Sequence, residues 1–244
     1  MKEQTRPTSK KIKKILQQSN QISRKTEEAH DNFGVYDDES VKEWKIIAYE
    51  RLFRDMEYYK RLIKYFNQGS VLELGGAVGY VGQILEDLDF KVVCSDYFNF
   101  FVEYQKKVGL EAYKIDATDI EKYTDKKFDN ILAQGLSPIM RRDDKMVPQT
   151  YRSIHGALND NGKLIMIQTA YRHKPSKKKI YLTLKEQLNI IDEMKIFKIE
   201  KVLGHQIVHH KMYSWWNKKY LAAIDFTLGS IIPFRHVIIC QKIS

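Results

Sequence analysis

Residues Val71 to Gly82, Val-Leu-Glu-Leu-Gly-Gly-Ala-Val-Gly-Tyr-Val-Gly, constrain the fold of this chain more than any other stretch. Val71, Leu72 and Leu74 form the short apolar run of a strand buried on both faces, and Gly75, Gly76 and Gly79 follow without a break. Glycines there let the backbone turn tightly and approach a ligand without obstruction. Val81, Ile84, Leu85 and Leu88 then recur at the i, i+3, i+4, i+7 spacing of a helix packed on a sheet. The segment predicts strand, glycine turn, helix, which is how α/β proteins hold a cofactor. A dinucleotide site would place glycines at Gly-x-Gly-x-x-Gly, but counting from Gly75 puts Ala77 and Tyr80 at the second and third positions. The pyrophosphate reading is weakened accordingly.

Further strands follow in order. Lys91-Val92-Val93-Cys94-Ser95-Asp96-Tyr97 is an apolar run ending in a carboxylate, and Asp96 lies 21 residues after Gly75. That is close to the roughly 20 expected for an acid that accepts hydrogen bonds from ribose hydroxyls. Ala112-Tyr113-Lys114-Ile115-Asp116-Ala117-Thr118, Phe128-Asp129-Asn130-Ile131-Leu132-Ala133-Gln134-Gly135, and a turn at Leu158-Asn159-Asp160-Asn161-Gly162 leading into Lys163 to Ile167 continue the pattern. A helix over 184–197 opens on the capping box Thr183-Leu184-Lys185-Glu186, and strands over 198–208 and 235–243 complete the chain.

Glu73-Leu74-Gly75-Gly76-Ala77-Val78-Gly79 resembles the first motif of class I S-adenosylmethionine-dependent methyltransferases: an acidic residue, a hydrophobic one, then Gly-x-Gly-x-Gly. Ala77 is its one departure. The later strands resemble those of the family in the same order, over roughly residues 70–170. The resemblance implies a Rossmann-like α/β fold, with an open seven-stranded sheet, mostly parallel with an antiparallel last strand, and helices on both faces. It also implies S-adenosylmethionine as cofactor. Glu73, Gly75, Gly76, Ala77 and Gly79 would form its loop, Asp96 would meet the ribose hydroxyls, Tyr97 beside it would be a further cofactor-binding residue, Asp116 and Ala117 would meet the adenine, and Gln134 would line the pocket beyond the fourth strand.

At 244 residues, 43% of them hydrophobic, the chain suits one domain with decorations. Two parts are expected. Residues 1–40 read as a basic leader and lid segment, and residues 41–244 as the methyltransferase domain with an insertion at about 209–232. The net charge of +10 is concentrated at the start, where residues 1–25 hold eight cations against Glu3. The folded body therefore does not read as a dedicated nucleic-acid binder, and an RNA methyltransferase using the leader is the second reading. A non-catalytic cofactor-binding scaffold is the third. Val41, Trp44, Ala48, Leu52, Met56, Tyr59, Ile63 and Phe66 keep helical spacing up to the first strand. No apolar run of about 18 residues is present, and the first residues lack the apolar stretch of a signal peptide, so a cytoplasmic protein is expected. Cys94 and Cys240 fall in core strands and read as small buried hydrophobes. No cysteine pair stands at metal-binding spacing, and no metal site is expected.

The acceptor is read from the pocket rim. Ligands of open α/β sheets bind beyond the carboxyl ends of the strands. No Asp or Asn followed by Pro-Pro-aromatic follows the fourth strand, as an amino-methylating DNA enzyme would show, and no Pro-Cys nucleophile is present for cytosine C5 chemistry. Tyr171, Arg172 and His173 leave the fifth strand together. Arg172 suits a phosphate or carboxylate, and His173, with an ordinary pKa near 6.5, suits removal of a hydroxyl proton. Tyr36 sits in the lid segment and is the second catalytic candidate. These features favour O-methylation of a small or carbohydrate-like, anionic acceptor, for example a nucleotide sugar or a surface-polysaccharide precursor.

Overall fold

A computed structural model of the protein describes residues 55–169, 180–205, 220, 221, 223, 224 and 235–243. Helix α1 is described over residues 55–62 and closes in a 3-10 turn, Ile63–Tyr65. Strand β1 (Ser70–Leu74) follows, then α2 (Tyr80–Glu86), β2 (Lys91–Asp96), α3 (Asn99–Lys107), β3 (Ala112–Lys114) and β4 (Phe128–Gln134). The second half comprises α4 (Ser137–Met140), α5 (Met146–Ala157), β5 (Leu158–Thr169), α6 (Leu184–Met194), β6 (Phe197–His205) and β7 (Arg235–Lys242).

The strands form one seven-stranded sheet in the order β3-β2-β1-β4-β5-β7-β6. Pairs among β1 to β5 are parallel, and only β7 runs antiparallel, wedged between β5 and β6. This is the sheet expected from the resemblance. Chain order reverses between β1 and β4, so the carboxyl ends of these two strands open a crevice at the switch point.

Both faces of the sheet are buried because consecutive strand residues alternate sides and nearly all are apolar. Ile131, Ala133, Leu164 and Met166 pack on one face with Ile139 of α4, Val147 and Ile154 of α5 and Ile191 of α6. Leu132, Ile165 and Ile167 pack on the other with Tyr59 and Leu62 of α1, Ile84 and Leu85 of α2 and Val102 of α3. Each fully buried side chain of this kind contributes about 1.5–3 kcal/mol, so the strands that carry the glycine loop form a rigid platform. Cys94 and Cys240 are buried and free in these layers.

Two local expectations are modified. The stripe on α1 is turned by one residue, since Tyr58, Tyr59 and Leu62 are buried while Met56 and Ile63 are only partly so. The turn expected before β5 is instead a bulge inside it. Phe128 pairs with Leu158 and Asn130 with Lys163, so three residues of β4 face six of β5, and Asn161 takes up the slack in the left-handed region at φ 59°. The capping box forms as expected: the Glu186 amide donates to Thr183 Oγ1 at 3.3 Å, and the Thr183 amide donates to Glu186 Oε2 at 2.7 Å. Glu186 also receives both Arg142 guanidinium nitrogens, at 2.6 and 2.8 Å, which ties α6 to the loop after α4. No helix among the described residues is long and apolar enough to cross a membrane. The leader, the lid and most of the 209–232 insertion lie outside the described residues.

Candidate functional site

The glycine loop, residues 75–79, turns over the carboxyl ends of β1 and β2 in a conformation that needs left-handed residues. Gly75 and Gly79 have φ 69° and 71°, and Ala77 adopts φ 47°. An L-residue there meets a steric penalty of about 1–2 kcal/mol, so Ala77 stays only because its peptide is held on both sides. Its amide donates to Asp96 Oδ2 at 3.0 Å, and its carbonyl accepts from Gln105 Nε2 at 2.8 Å. At Gly79 a side chain is excluded as well by packing, because a Cβ would stand 2.5 Å from Leu110 Cδ1.

Beneath the loop lies a buried acid. Glu73 is 3% exposed, and its Oε2 accepts from the Cys94 thiol at 3.3 Å while the carboxylate also receives the Gly82 amide. Burial pushes its pKa up to about 7, and the two donors offset only part of that. A Cβ on Gly76 would stand 2.8 Å from Glu73 Oε2, which places the loop directly over the carboxylate. Burial also pushes the Cys94 thiol up, so it remains a donor. Ser95 completes the underside, its Oγ donating to the Glu73 carbonyl at 2.8 Å while its own carbonyl accepts from the Gly76 amide at 2.8 Å.

Asp96 stands at the end of β2, 7% exposed. Its Oδ1 accepts from the Phe98 amide and its Oδ2 from the Ala77 amide, both at 3.0 Å, and the carboxylate also receives the Tyr97 amide. A carboxylate has about four acceptor positions, so three amides leave about one for a ligand. Burial raises its pKa to about 6 against the lowering effect of the amides. Tyr97, next in sequence, is 56% exposed, with Lys114 Nζ 5.8 Å from its ring centroid. Asp116 lies just past β3, whose path is fixed by the Ile115 amide donating to the Asp96 carbonyl at 3.1 Å. Asp116 Oδ1 takes both Thr118 donors, the amide at 2.9 Å and Oγ1 at 2.7 Å, while Oδ2 has no donor among the described residues. Ala117 beside it is buried.

Gln134 ends β4 and is fixed from the other face. The Tyr59 hydroxyl donates to its Oε1 at 2.5 Å, its Nε2 donates to the Tyr80 hydroxyl at 3.4 Å, and Tyr80 donates to Asp55 Oδ2 at 2.7 Å. Burial, then the Tyr80 and Asp55 charges, raise the Tyr59 pKa, so Tyr59 stays protonated and sets the orientation of the Gln134 amide.

Glu73, Gly75, Gly76, Ala77, Gly79, Asp96, Tyr97, Asp116, Ala117 and Gln134 therefore gather at the carboxyl edge of β1 to β4, with Glu73 under the loop. Tyr36, Tyr171, Arg172 and His173 lie outside the described residues. Sequence reasoning missed Gln105, Tyr59, Tyr80 and Asp55. A signal existed for two of them: Asp55 and Tyr59 are four apart, hence on one face of α1. A groove lined by Ser70, Lys91, Glu111, Lys126 and Lys127 lies at the opposite, amino-terminal edge of the strands, away from the loop. Among the described residues no group of His, Cys, Asp and Glu gathers to hold a metal ion.

No protein-family model matches the chain, and no curated protein matches it in sequence. Solved structures do match. The PH0226 protein from Pyrococcus horikoshii OT3 is similar with a TM-score of 0.59 at 16% identity, covering 88% of this chain and 99% of that one. A SAM-dependent methyltransferase from Archaeoglobus fulgidus gives a TM-score of 0.57 at 13% identity, covering 80% and 98%. The N-methyltransferase NodS from Bradyrhizobium japonicum WM9, solved with S-adenosyl-L-homocysteine, gives 0.53 at 8% identity, covering 78% and 88%. With this strand order and these structural neighbours, the chain has the fold of the class I S-adenosylmethionine-dependent methyltransferases.

Proposed function

We propose that the protein is an enzyme that transfers a methyl group from S-adenosylmethionine to a small or carbohydrate-like, anionic acceptor, with oxygen favoured over nitrogen. The observation that carries this reading is the set of groups beside the glycine loop, which fits an adenosine. Asp96 keeps an acceptor position for a ribose hydroxyl, Tyr97 offers an exposed ring to a flat base, and Asp116 Oδ2, without a donor among the described residues, suits an exocyclic amino proton.

When bound, the cofactor supplies a methyl group on a sulfonium, a leaving group good enough for in-line displacement by an acceptor oxygen. The chain's task is then chiefly to hold the two reactants in line. The loop and Asp96 fix one of them on a rigid sheet, and Tyr59 fixes the Gln134 amide at the mouth of the crevice. Proton removal from the acceptor is assigned to His173, with Tyr36 as the second candidate, and pairing with its anionic group to Arg172 beside Tyr171. The acidic first motif residue, Glu73, supports the loop from below.

The test is transfer of labelled methyl from S-adenosylmethionine to a nucleotide sugar, compared with RNA over a range of salt. A sugar acceptor gives turnover that varies little with salt. Turnover confined to RNA, falling steeply as salt rises, would instead assign the acceptor to the basic leader. Cofactor binding without turnover on either would favour the scaffold.

A further inference from the structure

Gln168 lies one residue before the end of β5, is 2% exposed, and has neither amide atom paired: Nε2 and Oε1 both lack a hydrogen-bond partner among the described residues. Alternation along β5 puts it on the face of Leu164 and Met166, opposite to Ile165 and Ile167. On that face it stands directly across from His236 of β7, which is itself buried, yet no bond joins them. Primary amides carry two donors and two acceptor lone pairs, and burying all of them unsatisfied is strongly unfavourable. Apolar residues fill the neighbouring positions of the strand, so packing alone does not require an amide here.

Its position accounts for it. The carboxyl ends of β4 and β5 lie side by side, with the Gly135 amide donating to the Ile167 carbonyl at 2.9 Å. A Cβ on Gly135 would meet nothing within 4 Å among the described residues, so these leave space beside the strand ends at this point. The glycine loop is near as well, since a Cβ on Gly75 would stand 3.3 Å from Leu136 Cδ1, one residue beyond Gly135.

We infer that Gln168 is an acceptor-binding residue that pairs with a neutral group presenting a hydrogen-bond donor and acceptor side by side, the pattern of a vicinal diol or a carboxamide. This rests on the methyltransferase reading, and it adds to the anionic group assigned to Arg172 a second, uncharged point of recognition. A carboxylate, which has acceptors only, would satisfy the Gln168 N–H groups and leave its carbonyl oxygen unpaired; a diol or amide satisfies both. Because the amide is covered in the free protein, the acceptor group must displace its cover to reach it.

The test uses the full-length protein labelled with nitrogen-15 and saturated with S-adenosylhomocysteine. The Gln168 side-chain NH2 signals, identified by their loss in Gln168→Glu, are followed at neutral pH on adding methyl α-glucopyranoside, acetamide or acetate. They are expected to shift with the glucoside or with acetamide, the responsive probe telling diol from amide, and not with acetate. Gln168→Leu is expected to raise the thermal midpoint of the free protein by roughly 2–4 °C, because an unsatisfied buried amide is removed. Signals that ignore both neutral probes, or that move with acetate alone, overturn the inference. So does a lowered midpoint in Gln168→Leu, which would mean that the amide is paired within the protein. Backbone signals of Gly75 to Gly79 report cofactor product independently: if they do not respond to S-adenosylhomocysteine, the methyltransferase reading fails, whatever Gln168 does.

Discussion

Asp96→Ala is expected to weaken S-adenosylhomocysteine binding by about 1.5–3 kcal/mol, roughly 10- to 150-fold, the range for hydrogen bonds to a charged group. The carboxylate faces two tasks at once. It fixes the glycine loop through the Ala77 amide and the strand end through the Tyr97 and Phe98 amides, and its remaining acceptor position is assigned to a ribose hydroxyl. Removing it therefore loses the ligand contact and also leaves three backbone donors without their acceptor, so the thermal midpoint falls too. Burial adds a pH signature. With the Asp96 pKa raised to about 6, the charged form fades as pH drops below that value, and wild-type affinity for the product should decline there. The variant should show no such decline. Calorimetric titration of both proteins between pH 5 and pH 8 checks it, and equal affinities in folded proteins would remove Asp96 from the site.

The second large effect is on stability. Glu73 has a pKa raised from an ordinary 4.5 to about 7, so between those values the folded protein binds a proton that the unfolded chain has released. Folded stability contributed by this group is full below about pH 4.5 and is lost as pH rises through about 7. The loss amounts to about 3 kcal/mol. Glu73→Gln removes the titration while keeping an oxygen for the Gly82 amide. The variant is thus expected to match wild type near pH 4.5 and to exceed it by about 3 kcal/mol at pH 8. Asp96 titrates in the same direction, so the difference between the two proteins, rather than either curve, isolates Glu73. Denaturant unfolding across that pH range measures it. Parallel curves for the two proteins would mean that the carboxyl group is hydrated or paired in solution.

Much of this architecture was legible because it is encoded locally. Apolar runs such as Val71 to Leu74 and Phe128 to Ala133 announce strands, and the acids that end β2 and β3 follow them directly in sequence. The antiparallel β7 came from the family resemblance, not from any residue pattern. What escaped notice depends on side chains distant in sequence. Tyr59 and Gln134 are 75 residues apart, and their bond exists only because α1 packs against the face of β4 that Gln134 shares. Gln105 reads as an ordinary helix polar residue until α3 docks beneath the loop and turns its amide onto the Ala77 carbonyl. The bulge in β5 was hidden for another reason: Asn159 to Gly162 has turn composition, and it lies within a strand only because Leu158 before it and Lys163 after it both pair with β4. Ala77 looked like a flaw in the motif, whereas its left-handed conformation is the one a glycine would take there.

The measurement that tests the central claim most directly is calorimetric titration of the full-length protein with S-adenosylmethionine, S-adenosylhomocysteine and NAD. A glycine loop over Glu73, with Asp96 and Asp116 at the strand ends, predicts one saturable site for each of the first two compounds and none for NAD. Heat from NAD, with none from either methyl-cycle compound, would contradict it.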